Sequence, residues 1–77
     1  MAKIKYIKDN TISSQLGLEK GDEIISINGR KIDDYIDFQF ETAESFFTLK
    51  VKNNKGNLVE YEIERDYGEE LGIVLDG

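Results

Sequence analysis

Apolar residues in this chain recur at two different spacings, and the switches between them mark out the elements. Ile4 and Ile7, interleaved with Lys3, Lys5 and Lys8, follow the two-residue period closely enough to predict a half-buried strand that Asp9-Asn10 ends. Thr11 or Ser13 then caps a short helix carrying Ile12 and Leu16 four apart on one face. Gly17 supplies the left-handed residue that commonly terminates a helix, and Leu18 is expected to turn back into the core. Glu19-Lys20-Gly21-Asp22 is turn chemistry, and it leads into Glu23-Ile24-Ile25-Ser26-Ile27, a β-branched run that predicts a central strand. Asn28-Gly29 closes that strand, because both residues tolerate the positive φ that a tight two-residue turn demands.

Beyond Arg30-Lys31-Ile32, either Asp33 or Asp34 caps a second helix expected from about Tyr35 to Ala43, with acids near its positive end. Its apolar residues Tyr35, Ile36, Phe38, Phe40 and Ala43 occupy more than one face, so this helix is expected to touch both the core and something else. Phe46 to Lys52 and Leu58 to Glu64 are two alternating strands joined by Asn53-Asn54-Lys55-Gly56-Asn57, a loop of hairpin length with glycine late in it. Side chains of adjacent strand residues point to opposite faces, so one of Phe46 and Phe47 belongs to the core. The other marks an interface or packs at an edge. After Tyr67-Gly68-Glu69-Glu70-Leu71-Gly72, a last short strand is expected at Ile73-Val74-Leu75. No proline, repeat or low-complexity linker interrupts the pattern.

Composition narrows the classes. At 77 residues and 39% apolar side chains the chain suits one domain over 1–77, since a chain this short buries roughly 60% of the surface it exposes when unfolded. It has no Cys and no His, which removes disulfides, thiolate or imidazole metal sets and the usual catalytic triads. Ten basic against sixteen acidic residues give a net charge of −6, which repels nucleic-acid backbones. Met1 to Lys8 contains no apolar run long enough for a signal peptide and no window approaches a membrane span, so the expected location is cytoplasmic, away from membranes.

Residues Gly17 to Ile32, Gly-Leu-Glu-Lys-Gly-Asp-Glu-Ile-Ile-Ser-Ile-Asn-Gly-Arg-Lys-Ile, resemble the central signature of bacterial PDZ domains. The resemblance implies an α+β fold, a PDZ-like partly closed antiparallel sandwich or barrel with two helices. PDZ domains normally carry their carboxylate-binding loop, an x-aliphatic-Gly-aliphatic motif, ahead of that signature. Here it is matched only at Glu70-Leu71-Gly72-Ile73, near the end, which implies a circularly permuted order. That order, with the Asp-rich second helix, is similar to the amino-terminal PDZ-like domain of clostridial-type radical S-adenosylmethionine proteins, described as iron–sulfur oxidoreductases. The cysteine cluster of that family is absent from this sequence, so its chemistry does not carry over. The resemblance therefore implies a fragment of a longer chain, with no reaction and no cofactor of its own.

What it implies about function is protein or peptide binding, either by docking beside a radical S-adenosylmethionine catalytic region of the same polypeptide or by capturing free peptide carboxyl termini. Backbone N–H groups of Leu71, Gly72 and Ile73 would converge on a carboxylate, with the last strand pairing an extended ligand. Leu71, Ile73 and Leu75 would face an apolar pocket, and Tyr35, Gln39 and Thr42 would form its helical wall. The plainer reading is that Leu71 and Ile73 plug the core and Gly72 is an ordinary turn glycine. Glu69 and Glu70 disfavour an incoming carboxylate, and Arg65 is the nearest cation in sequence to compensate. Asp33, Asp34 and Asp37 are explained by helix capping rather than by a metal or paired catalytic carboxylates. If Gly72 serves the ligand, Gly72→Val is expected to disrupt binding more than folding.

Overall fold

The computed structural model describes residues 2–76; Met1 and Gly77 lie outside the described residues. Its elements follow in the order β1 (Ala2–Ile7), α1 (Ile12–Leu16), β2 (Glu23–Ile27), β3 (Arg30–Lys31), α2 (Tyr35–Glu41), β4 (Phe46–Lys52), β5 (Leu58–Glu64) and β6 (Ile73–Leu75). The strands form one antiparallel sheet in the order β5-β4-β2-β1-β6, with the short β3 paired to β2, and the sheet is not closed. The last strand thus lies beside the first, in the register Ile4 to Leu75 and Ile7 to Ile73.

Alternation explains most of the burial. In β4, Phe47, Leu49 and Val51 are fully buried while Phe46 stays 55% exposed, which decides which phenylalanine is core. β2 departs from the two-residue period, because Ile24 and Ile27 are both buried although three apart. A register shift opposite β4 between Ile24 and Ser26 absorbs the extra residue, as a bulge does, and returns Ile27 to the inner face. Asn28 and Gly29 turn the chain with φ of 51° and 79°. Asn28 also donates its N–H to the Thr48 carbonyl at 2.8 Å and accepts the Thr48 N–H on Oδ1 at 2.9 Å, which pins the turn to β4.

Thr11 caps α1, and a capping box with Ser14 satisfies both backbone groups at the helix start. Gly17 ends it in the left-handed region at φ 84°. The residue that α1 buries is Ser13 rather than Leu16, which stays at the surface. Ser13 donates its N–H to the Leu71 carbonyl at 3.1 Å, so this helix packs through its backbone onto the chain's final segment. Asp22, read from sequence as turn chemistry, is buried and accepts N–H groups from Glu19 at 3.0 Å and Asn54 at 3.1 Å, clasping the loop before β2 to the β4–β5 turn.

Asp34 caps α2 by accepting the Asp37 N–H at 2.9 Å. The helix stops at Glu41, two residues before the expected end, because the Thr42 hydroxyl donates back to the Phe38 carbonyl at 2.8 Å and Ala43 bonds three residues back to Phe40. Phe38 is its buried side chain, whereas Tyr35, Ile36 and Phe40 are exposed. Among the described residues no helix is long and apolar enough to cross a membrane.

Gly72 sits at φ 93°, and a Cβ placed there would fall 2.5 Å from the Thr11 Cβ, inside contact distance. Its carbonyl accepts the Lys8 N–H at 2.9 Å, so the residue is wedged between β1 and the cap of α1. This corrects the expectation that Gly72→Val acts on binding ahead of folding. Left-handed strain and overpacking together are expected to cost about 2–6 kcal/mol, a large share of the stability of a domain this size, about 4–12 kcal/mol. Denaturant unfolding of Gly72→Val should show a lowered midpoint at unchanged slope. In the same assay Phe47→Ala should cost about 3–5 kcal/mol and Phe46→Ala less than about 1 kcal/mol.

Candidate functional site

The open border of β6 faces α2 across a groove of about 480 Å³. Hydrogen bonds from Lys8 N–H to the Gly72 carbonyl and from Asp76 N–H to the Lys3 carbonyl set the phase of the strand. Positions 72, 74 and 76 bond toward β1, so the backbone groups of Ile73 and Leu75 turn the other way, and those of Ile73 do so at the groove. The N–H groups of Leu71 and Gly72 donate to no described residue. Unpaired donors beside a cleft of mixed polarity, at the end of a strand with a free edge, can bind an anion and an extended backbone together.

Six of the seven residues singled out from sequence meet at this groove: Leu71, Gly72 and Ile73 on the strand side, and Tyr35, Gln39 and Thr42 on the helix side. Leu75 does not line it; it is buried in the core opposite Ile4. Leu71 and Ile73 belong to the core cluster and also line the groove, so the plug and groove readings of these two residues are compatible. Tyr35 is half exposed at the helix start. The single donor of Thr42 is committed to the Phe38 carbonyl, which leaves that side chain only an acceptor to offer a ligand.

Charge at the groove differs from what sequence neighbours suggest. Glu70 lines it, with its carboxylate 2.5 Å from Lys8 Nζ. Glu70 hydrogen-bonds and attracts the Lys8 ammonium, which raises the lysine pKa above its usual value. Glu69 instead accepts the Asp66 N–H at 3.0 Å within the turn that links β5 to β6. Arg65 also reaches the groove, and its guanidinium donates to the Thr42 carbonyl at the carboxyl end of α2, where the helix carries no basic residue of its own. Sequence reasoning named Arg65 but missed Lys8. The signal lay in the strand pairing, since Lys8 follows β1 directly and bonds to Gly72.

The aspartates at the start of α2 are accounted for by structure. Asp34 is the cap, Asp33 lies 3.7 Å from Lys31, and among the described residues no group of three or more acidic side chains is placed to hold a metal ion.

Comparison with known proteins agrees with this architecture. No curated protein matches the chain. A family model described as PDZ domain matches residues 3–53, which takes in the strands from β1 to β4 and both helices. That span is about two thirds of the sequence, and the chain belongs to the PDZ domain family.

Proposed function

We propose that this domain binds the extended carboxyl-terminal end of a protein, which adds as a strand to β6 while its terminal carboxylate meets the N–H groups of Leu71, Gly72 and Ile73. The coarser statement follows from the family, whose members are protein- or peptide-binding modules and generally non-catalytic. The observation that carries the finer one is the free border of β6, with its outward backbone groups and the undonated N–H groups of Leu71 and Gly72 at its start. Ile73 and Phe38 supply apolar surface for a ligand side chain, and Tyr35 and Gln39 flank it on the helix side.

We read the strand order as circularly permuted. The family match ends at residue 53, and the two segments beyond it, β5 and β6, supply the two borders of the sheet. Permutation of this kind is physically easy where chain ends lie close together at a surface.

Magnitudes favour a weak encounter. Three or four backbone hydrogen bonds at roughly 1 kcal/mol net each, with roughly 1.5–3 kcal/mol for one buried aliphatic side chain, barely offset an association cost of about 4–15 kcal/mol. The same weakness supports a second reading, docking onto a neighbouring region of one polypeptide, where high effective concentration removes much of that cost. In that reading the neighbour is the radical S-adenosylmethionine region implied by the sequence resemblance, and the domain works in the cytoplasm without a cofactor.

Titration of the ¹⁵N-labelled domain with hexapeptides ending in an apolar residue tests the first reading. Free-acid peptides should shift the amides of Leu71 to Leu75 together with Tyr35, Gln39 and Thr42, with dissociation constants weaker than about 10⁻³ M. The carboxyl-amidated versions should leave Leu71 and Gly72 unmoved. Equal shifts with both forms would remove the carboxylate from the proposal.

A further inference from the structure

Glu70 and Lys8 meet 2.5 Å apart at the groove, one residue before the N–H groups of Leu71 and Gly72. Both side chains remain about half exposed, at 50% and 58%, so neither is trapped in the pair. Lys8 is held in place by its backbone, because its N–H bonds to the Gly72 carbonyl at the centre of the same loop. The backbone of Lys8 therefore stays anchored to Gly72 whatever its side chain does. Glu70 carries the same functional group that an incoming chain end would bring.

We infer that Glu70 tunes the affinity of this groove for chain ends, acting as a built-in competitor that occupies Lys8 and holds down binding of a ligand whose own carboxylate would take that cation. This rests on the carboxyl-terminal reading of the groove and deepens it. An incoming carboxylate accepts from Leu71 and Gly72 and recruits the Lys8 ammonium, and Glu70 swings into solvent. A segment without a terminal carboxylate has no charge to place on Lys8 and is indifferent to Glu70. Removing the competitor frees Lys8 for the ligand. Because both groups are exposed, the gain is modest, about two- to fivefold in affinity, and salt diminishes it.

Fluorescence anisotropy with a dye-labelled hexapeptide ending in valine, as free acid and as amide, tests this on the wild-type domain, Glu70→Gln, Lys8→Met and the double variant. Glu70→Gln should tighten the free acid about two- to fivefold and leave the amide unchanged. The gain should vanish in the Lys8→Met background. Thermal midpoints within about 2 °C of one another establish that exposed-residue substitutions have left the fold intact. Unchanged or weaker binding by Glu70→Gln would overturn the competitor role while leaving the carboxylate reading standing. So would a gain that persists without Lys8, since it would reflect simple relief of repulsion. If wild type and Glu70→Gln both fail to prefer the free acid over the amide, the carboxylate reading falls and this inference falls with it.

Discussion

Pairing of the last strand with the first is the constraint from which the rest of the structure follows. Three residues of β6 would be too few to hold a strand in place by themselves, and the surrounding segment supplies the remainder. The Lys8 N–H reaches the Gly72 carbonyl, the Asp76 N–H reaches the Lys3 carbonyl, and the Ser13 N–H reaches the Leu71 carbonyl. Leu71, Ile73 and Leu75 then complete the core cluster begun by Ile4 and Leu18. Fixing β6 on one side by hydrogen bonds and from below by burial leaves its second set of backbone groups without a partner. The border is open because everything else about the strand is satisfied.

The helix across from that border is held less firmly. α2 contributes one buried side chain, Phe38, and its other attachments are polar: Arg65 to the Thr42 carbonyl at one end, and Arg30 to Glu41 at 3.2 Å. Elements with few buried apolar contacts and exposed polar ties lie toward the low-stability end of a domain. Phe38 ties this wall to the same core cluster as β4, β2 and β1, so the groove's helical side rests on the sheet through one side chain. Arg65 thereby joins the hairpin to the helix, so the width of the groove depends on a residue at the far end of β5.

Local rules sufficed wherever one element satisfied itself. The β4–β5 hairpin, the left-handed Gly17, the Asn28-Gly29 turn and the Asp34 cap are each dictated by a few adjacent residues, and each stands where the pattern put it. What escaped was set by partners distant in sequence. Asp22 looked like a turn residue because its acceptor role depends on Asn54, which is 32 positions away. Lys8 looked like the end of a strand because its charge acquires a role only when Glu70, 62 positions on, is brought alongside. The family resemblance points Leu75 at the groove, yet the pairing of its strand with Ile4 directs it inward. At Gly72 the sequence suggests a glycine required by a ligand, whereas the neighbour that excludes a side chain there is Thr11, a residue of the chain itself.

The two borders of the sheet are defended differently, and the difference bears on which of them receives a partner. An unpaired strand edge is a template for pairing with any other chain, and proteins commonly protect it with charge. β5 follows that rule, with Glu60, Glu62 and Glu64 in a row and all exposed, and only Lys50 directly opposite Glu60 to soften them. A second strand approaching β5 meets repeated negative charge on a protein that is already at −6. β6 carries no charged side chain between Leu71 and Leu75. Its protection is steric, because α2 stands alongside across a cleft of about 480 Å³. Charge rejects strands in general, whereas a walled cleft with oriented donors rejects all but those that fit it. The strand without charges of its own is also the one preceded by undonated N–H groups, so the proposed pairing at β6 and the charge protection of β5 fall on opposite borders of one sheet.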